Sequence, residues 1–161
     1  MTSLRPWLKF LDDLGVRYSH SIHPPAQTAL ATADADRVPA AEFAKCVVYH
    51  SDTGFGMAVV PADEYVDMQK TAGVLGVKHI RLATETELAE LFPDCELGAM
   101  PPFGNIYLMP VVVDFDVARN EFIGFTVGTH RDAIRMSFED YRRVARPVMA
   151  AITATAVEGV V

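Results

Sequence analysis

Two apolar runs joined by a short polar turn constrain the fold of this chain more than any other feature. The runs, 44–49 and 57–60, have strand-like composition and are separated by Ser51-Asp52-Thr53-Gly54. Such a turn between two apolar runs predicts a β-hairpin. The other strand and helix patterns do not follow a strict βαβ alternation, and several strands are close enough to form hairpins. The sequence therefore predicts an α+β fold with a mixed, mostly antiparallel sheet.

Helical spacing of apolar residues and capping residues predict the helices. The predicted helices cover 4–14, 65–75 and 84–91, and two more begin after Thr28 and Ser137. Gly15 is expected to end the first helix, and Thr28 and Ser137 are expected to cap theirs. Thr84 with Glu87 three residues later predicts a capping box. Helices of this spacing would cover the predicted sheet.

The remaining segments are predicted from alternation and from breaker residues. Strands are expected at 16–23, 77–82, 106–115 and 121–127, and the stretch 93–105, with three prolines and two glycines, is expected to be a loop. After Pro147 the pattern is weak, so this tail is expected to be mobile or loosely packed. The chain is predicted to be one domain over 1–161, with a core of about 16–146 and a tail of 147–161.

Composition excludes several classes of function. The net charge is −7, which argues against a tight, non-specific nucleic-acid binder and predicts no DNA partner. Five arginines nevertheless fall within the segment 131–146, where a local positive face is possible. No apolar stretch is long enough for a membrane helix and no signal peptide is recognisable, so the chain is expected to be cytoplasmic. The two cysteines, Cys46 and Cys95, predict neither a disulfide framework nor a metal knuckle.

The loop from Glu96 to Asn105 is the first candidate for a binding site. Gly98 and Gly104 flank the proline pair Pro101-Pro102, so backbone N–H groups can approach a ligand while the prolines hold the loop. Backbone donors of this kind can stabilise a developing oxyanion. A tight structural turn is the alternative, and the residues alone favour it.

Lys45 is the second candidate, because it lies inside an otherwise apolar strand. A lysine there either faces solvent or lines a pocket, since an unpaired buried ammonium is very costly. Alternation places Lys45 on the same face as Val47 and Tyr49. An amine on a pocket wall could orient a carbonyl group, whereas a solvent-facing lysine on a strand edge is the simpler interpretation.

The sequence contains no recognisable metal, nucleotide or serine-hydrolase motif, so no cofactor and no metal are predicted. The five histidines lack the spacing of a zinc site, and His130 is of interest only because it follows Gly128-Thr129 at a strand end. Neither a G-x-S-x-G elbow nor a phosphate-binding loop is present. Asp114 and Asp116 could pair for acid–base work, but a solvated strand end explains them equally well.

Several of these segments, taken in order, resemble the YbaK/EbsC family. These are the ProX-type aminoacyl-tRNA deacylases, also found as the editing insertion of bacterial prolyl-tRNA synthetases. The resemblance runs from about His20 to Arg146, and an Ala-Lys strand followed about fifty residues later by a Gly-x-x-x-Pro loop is its most specific part. The matching segments are Thr28, Ala44-Lys45, Val59-Val60-Pro61-Ala62, Val66-Asp67, the loop 98–104, Val112-Val113-Asp114 and Gly128.

The resemblance implies a barrel-like mixed sheet surrounded by helices, and a trans-acting hydrolase that removes a mischarged amino acid from tRNA without a metal. It implies catalytic roles for Lys45, which would hold and polarise the aminoacyl group, and for Gly98, whose backbone would face the ester carbonyl. Attacking water would be placed by backbone groups and by the ribose hydroxyl of the substrate. The implied substrate-binding residues are Thr28, Cys46, Ala99, Pro101, Pro102, Phe103, Gly104, Gly128 and His130. The implied partners are the acceptor end of mischarged tRNA and an aminoacyl-tRNA synthetase supplied by another chain.

Two departures from the family pattern leave alternatives open. The segment 92–96 stands where many members have a Thr-Gly pair, and Cys46 follows Lys45 where other residues are common. One alternative is a catalytically inactive protein of the same fold that binds a small amino-acid-like ligand or a partner protein. Another is a cysteine-dependent enzyme that uses Cys46 with His50 or His130.

Overall fold

The fold, seen in a computed structural model that describes residues 5–154, combines six short α-helices with ten β-strands. The helices are α1 (Arg5–Asp13), α2 (Ala29–Ala35), α3 (Met68–Leu75), α4 (Glu85–Leu91), α5 (Phe115–Ala118) and α6 (Phe138–Ala145). The strands are β1 (Tyr18–Ile22), β2 (Ala44–Ser51), β3 (Gly54–Pro61), β4 (Tyr65–Val66), β5 (Ile80–Leu82), β6 (Val111–Asp114), β7 (Phe122–Thr126), β8 (Asp132–Ser137), β9 (Val148–Ala150) and β10 (Thr153–Ala154). A 3₁₀ turn covers Gly104–Ile106. No helix in the described part of the chain is long and apolar enough to cross a membrane.

The predicted hairpin lies at the centre of a five-stranded sheet with the order β5-β2-β3-β6-β9. β2 and β3 pair antiparallel, with Lys45 opposite Val60 and Ser51 opposite Gly54 at the turn. β6 and β9 continue the sheet in parallel. A three-stranded antiparallel sheet, β1-β8-β7, and the two-stranded pair β10-β4 complete the fold. The α+β class with mostly antiparallel pairing is confirmed, although the described strands do not close into a barrel.

The hairpin separates two packed clusters because successive side chains of a strand point to opposite faces. Ala44 and Val48 join the large cluster that contains α1, α6 and the second sheet. Tyr49 joins a smaller cluster together with Val66 and Ile152. Both faces of β2 are therefore buried over much of its length, which explains why the run reads as continuously apolar.

Most predicted caps are confirmed at atomic detail. Thr28 accepts a hydrogen bond from the Ala31 N–H at 3.0 Å, and Ser137 accepts one from the Asp140 N–H at 3.1 Å. Thr84 and Glu87 form the reciprocal capping box of α4. Gly15 has φ +69° directly after α1, in the left-handed region that favours glycine at a helix end. The predicted Leu4 start of this helix lies outside the described residues.

Some predicted boundaries were wrong, each for a local reason. The helix predicted over 65–75 begins only at Met68, because the Asp67 carboxylate caps it and Tyr65–Val66 form a strand instead. Of the strands predicted over 77–82 and 106–115, only 80–82 and 111–114 pair. The strand predicted to begin at residue 106 begins later because of the 3₁₀ turn at Gly104 and because Pro110 has no N–H for strand pairing.

Two further segments have more structure than predicted. β8 was not predicted, yet it is the central strand of the three-stranded sheet. The tail expected to be loosely packed contains β9 and β10, and Ile152 between them is fully buried. Asp114 is 2 % exposed rather than solvated, because it caps α5 and accepts a hydrogen bond from the Ile152 N–H at 2.7 Å. Residues 155–161 of the predicted tail lie outside the described residues.

Candidate active site

A cavity of about 370 Å³ lies along an unpaired edge of β2. β5 pairs with β2 only at Tyr49–Ser51, so residues 44–48 have no neighbouring strand on that side among the described residues. Five consecutive residues of β2 line the cavity. Successive side chains of a strand point to opposite faces of the sheet, so a cavity against one face would be lined by every second residue only. The backbone edge of the strand therefore faces the space. The lining residues are Gln27, Thr28, Ala29, Ala44, Lys45, Cys46, Val47, Val48, Leu82, Ala83, Leu88, Gly98, Met100, Thr126 and His130.

This cavity brings together residues that are far apart in sequence. Of the residues predicted from the sequence, Lys45, Gly98, Thr28, Cys46 and His130 all line it. Two other surface hollows have a volume of about 410 Å³ each, but neither contains any of these residues. The cavity beside β2 is therefore the candidate active site.

The Lys45 ammonium is half-buried and has two direct contacts. Its Nζ donates a hydrogen bond to the Glu64 carbonyl oxygen at 2.6 Å and lies 4.8 Å from the centre of the Tyr65 ring. Burial lowers the pKa of Lys45 from its ordinary value, while the nearby Asp63 carboxylate opposes that shift. Lys45 lies on the same side of β2 as Val47 and Tyr49, as alternation predicted.

Carboxylates lie close to the Glu64 contact of Lys45. Carboxylate oxygens of Glu64, Asp114 and Asp116 lie within 4.8 Å of one another. Burial, a hydrogen bond with Asp116 and the surrounding negative charges raise the pKa of Glu64 from the ordinary 4.5 to about 7. Protonation of Glu64 near neutral pH therefore reduces the repulsion within this group.

Gly98 lines the cavity with a backbone conformation that favours glycine. Gly98 has φ +86°, and its N–H has no acceptor among the described residues. The neighbouring Ala99 N–H donates to the Glu96 carbonyl oxygen at 3.0 Å, and Ala99 is fully buried. Of the two amides considered from the sequence, the described hydrogen bonds therefore leave only that of Gly98 free for a ligand.

Hydrogen bonds clamp the Gly98 segment onto the turn after β7. The Gly128 N–H donates to the Ala99 carbonyl oxygen at 2.7 Å, and the Glu96 N–H donates to the Gly128 carbonyl oxygen at 2.8 Å. His130 Nε2 lies 2.7 Å from the Leu97 carbonyl oxygen, and because a carbonyl only accepts, this nitrogen carries the proton. The His130 ring thereby lies against Gly98. These contacts fix the orientation of the Gly98 peptide.

The other loop residues predicted from the sequence lie outside the cavity lining. Phe103 is buried and packs against the Phe125 ring at a centroid distance of 5.3 Å. A Cβ on Gly104 would lie 2.2 Å from the Met109 carbonyl oxygen, and one on Gly128 would lie 2.6 Å from Trp7. Ala99 and both prolines, Pro101 and Pro102, are buried, and Tyr141 donates to the Pro102 carbonyl oxygen at 2.7 Å. In the structure these residues support the loop from behind.

Cys46 lines the cavity as a half-buried thiol. Burial raises its pKa to about 12, so at neutral pH the thiolate that a cysteine nucleophile requires is scarcely populated. His50 packs edge-on against Phe55 with ring centroids 4.7 Å apart. The environment of Cys46 therefore argues against the cysteine-dependent alternative.

Sequence reasoning missed part of the site. Met100, Leu88 and Thr126 line the cavity, and each was predicted only as part of a loop, helix or strand. The Glu64–Tyr65 contact of Lys45 was also missed, because this segment was predicted to enter a helix. The apolar spacing of α4 could have indicated Leu88, whereas nothing in the sequence links residue 45 to residues 64 and 65.

Comparisons with known proteins show the family of the chain. The aminoacyl-tRNA editing domain family matches residues 23–144 of the chain. A multifunctional Ser/Thr-tRNA deacylase, ProXp-y, from Escherichia coli K12 is 30% identical over 101 residues, which is 62% of this chain and 60% of that protein. The chain thus spans less than two thirds of the length of this curated relative. The same protein from Escherichia coli O157:H7 matches equally well.

Solved structures share the fold. A candidate trans-editing enzyme for prolyl tRNA synthetase superposes with a TM-score of 0.80 at 22% identity and covers 94% of this chain and 96% of its own. The hypothetical protein APE2540 superposes with a TM-score of 0.82 at 20% identity and covers 92% and 99%. At these identities the structural likeness establishes the fold alone.

Proposed function

Because the chain belongs to the aminoacyl-tRNA editing domain family, we propose that it is a trans-acting aminoacyl-tRNA deacylase, a hydrolase that removes a wrongly attached amino acid from tRNA. One observation carries the proposal. Lys45 and Gly98, whose N–H has no acceptor among the described residues, line the same cavity, and we propose that this ammonium and this backbone donor act on one ester group.

The reaction is the hydrolysis of the ester between the amino acid and the terminal ribose. The oxygen of a water molecule attacks the carbonyl carbon, the bond from that carbon to the ribose oxygen breaks, and the ribose oxygen takes up a proton. Negative charge develops on the carbonyl oxygen in the transition state. A preorganised donor at that point, here the Gly98 N–H, stabilises this charge more than it stabilises the substrate.

Lys45 can bind substrate while it keeps the contacts that hold its side chain in place. An ammonium has three N–H donors, and one of them is used by the Glu64 carbonyl oxygen. The remaining donors hold and polarise the aminoacyl group. In this proposal the neighbouring ribose hydroxyl and backbone groups orient the water, so no protein side chain is required as general base and no metal takes part.

The other predicted site residues divide into two groups under this proposal. Thr28, Cys46 and His130 form walls of the cavity and contact the substrate. The second group shapes and supports the Gly98 peptide, and it comprises Ala99, Pro101, Pro102, Phe103, Gly104 and Gly128. The partner is the acceptor end of a mischarged tRNA, met in the cytoplasm where tRNA is charged, with a synthetase from another chain as the source of the error.

A panel of mischarged tRNAs tests the proposal. We expect the purified protein to hydrolyse at least one of alanyl-, cysteinyl-, seryl-, threonyl- and prolyl-tRNA faster than buffer. Lys45→Met is expected to reduce kcat/KM about a hundredfold, the scale of losing one electrostatic contact to a transition state. Lys78→Met, a change of the same kind at an exposed lysine outside the cavity, serves as the control.

Absence of turnover on the whole panel would contradict the proposal. In that case a stable amide analogue of an aminoacyl-adenosine that raises the Tm would favour the inactive, ligand-binding alternative. Equal activity of Lys45→Met and wild type would instead remove Lys45 from the mechanism while leaving the reaction in place.

A further inference from the structure

The segment Glu64–Val66 holds the Lys45 ammonium, and we infer that Tyr65 is a positioning residue for the reaction, acting through Lys45. The inference rests on the proposed function, because it assigns a task to the same amine. It adds a residue outside the cavity lining and outside every segment that the sequence pointed to. Tyr65 is 39 % exposed, so burial in the core does not account for its place.

The two contacts of the ammonium restrict it in different directions. The Glu64 carbonyl oxygen accepts its hydrogen bond at 2.6 Å, which fixes one N–H direction. The Tyr65 ring, 4.8 Å from Nζ, offers the negative face of its π-system to the cation. A four-carbon lysine side chain has many rotamers, and each contact removes some of them. Together they favour a conformation in which the remaining N–H donors are free for substrate.

The holding segment is itself tied to the C-terminal strand. Tyr65 pairs with Ala154 and Val66 pairs with Thr153 in the β4–β10 ladder. The Asp67 N–H donates to the Ile152 carbonyl oxygen at 2.7 Å, and Ile152 is fully buried. These bonds keep the backbone at residues 64 to 66 in place. The Tyr65 ring and the Glu64 carbonyl are thereby rigid supports rather than parts of a free loop.

The charges around the ammonium are consistent with a positioning role. The Asp63 carboxylate attracts the Lys45 ammonium and opposes the effect of burial on its pKa. No carboxylate of the described residues forms an ion pair with Nζ. The amine is thus held by a carbonyl dipole and a ring, which leave its charge available to the substrate.

A double-mutant cycle on the full chain tests the inference. Tyr65→Leu is expected to lower kcat about tenfold with little change in KM, since small displacements of a reacting group affect the transition state most. Tyr65→Phe keeps the aromatic ring, so its kcat is expected to equal that of wild type. In a Lys45→Met background, Tyr65→Leu is expected to cause no further loss of kcat, because the amine through which Tyr65 acts is already absent.

Phe122→Leu is the matched control. Its ring lies 3.9 Å from the Arg135 guanidinium on the three-stranded sheet, so the change removes a comparable cation–π contact away from the cavity. It is expected to leave kcat unchanged. Unchanged kcat in Tyr65→Leu, or a tenfold loss that persists in the Lys45→Met background, would overturn the inference while leaving the deacylase proposal intact.

A binding measurement separates failure of the inference from failure of the proposed function. The probe is an amide-linked aminoacyl-adenosine, which cannot be hydrolysed as an ester, and its Kd is measured by calorimetry. If wild type binds the probe without turning over any ester, the deacylase proposal fails, whereas turnover by wild type with an unchanged kcat in Tyr65→Leu overturns the inference alone. Neither turnover nor binding by wild type would overturn both.

Discussion

Glu64 shows at the residue scale how a single carboxyl group couples the candidate site to stability. It lies beside Asp114 and Asp116, and its Oε2 is buried without a hydrogen-bond partner among the described residues. A carboxyl group in such surroundings retains its proton in the folded protein at a pH where the unfolded chain has lost it. Folding therefore binds a proton at this position.

This proton binding predicts the direction of a pH effect. The pKa of Glu64 rises from 4.5 to about 7 on folding, so the stability of wild type should fall as the pH rises between these two values. Glu64→Gln removes the ionisable group. We expect the variant to become progressively more stable than wild type from pH 5 to pH 7, with a constant difference above, as measured by urea unfolding.

Glu90→Gln, on the exposed side of α4, is the control for removing one negative charge. A stability difference between wild type and Glu64→Gln that stays constant from pH 5 to pH 8 would contradict the prediction. Asp116→Asn should reduce the same pH dependence, because Asp116 contributes to raising the pKa of Glu64.

At the scale of elements, local signals in the sequence predicted helices and hairpins better than they predicted the ends of the chain. The caps at Thr28, Thr84 and Ser137 are local interactions within four residues, so the sequence alone indicates them. β9 and β10 have only three and two residues, and each exists because a distant strand pairs with it. Their sequences contain no signal for partners so far away.

The C-terminal strands provide a prediction at this scale. A chain that ends at Pro147 loses β9, β10 and the buried Ile152, and it leaves Asp114 without one of its backbone donors. Burial of one such side chain and one hydrogen bond to a buried charge together suggest a loss of about 3 kcal/mol or more in the free energy of unfolding. Urea unfolding with constant protein concentration measures it.

A chain that ends at Ala154 keeps every contact described for these strands and serves as the comparison. Equal stability of the chains ending at Pro147 and at Ala154 would show that the two strands contribute nothing. The chain that ends at Pro147 should also lose deacylase activity, because without β10 the segment that holds Tyr65 beside Lys45 is no longer fixed by strand pairing.

At the scale of the whole molecule, a net charge of −7 limits how the proposed tRNA substrate can be bound. Several arginines of the segment 131–146 are already paired with acidic neighbours, as Arg142 is with Glu139 and Arg143 with Asp140. Arg131 is exposed, follows His130 at the cavity and has no ion pair among the described residues. We therefore propose Arg131 as a contact to a phosphate of the tRNA substrate.

We expect Arg131→Gln to weaken binding equally for tRNAs of different sequence and to leave kcat unchanged. The slope of log kcat/KM against log salt concentration should become shallower by about 0.7 to 1, the value for one lost phosphate contact. Arg142→Gln, which removes a paired arginine, is the control. Equal salt slopes in wild type and Arg131→Gln would exclude the contact.

The sequence by itself determined the α+β class, the central hairpin and the helix caps, and through a resemblance it led to the proposed roles of Lys45 and of the Gly98 loop. These features rest on periodicity, on turn and capping chemistry within a few residues, and on a resemblance carried by short motifs. The predictions failed at β8, at the C-terminal strands and at the Glu64–Tyr65 segment. Each of these depends on strand pairing across long sequence separations.

Only the tertiary structure decided which donor is free and what supports the amine. Among the described residues the Gly98 N–H has no acceptor, while Ala99 bonds to Glu96 and Gly128 clamps the loop, and the segment that contacts Lys45 is paired with β10, which lies some ninety residues after β4. Hydrogen-bond partners and burial are properties of groups brought together in space. A pattern along one chain cannot specify them, since the free energy of each contact depends on neighbours that the pattern does not identify.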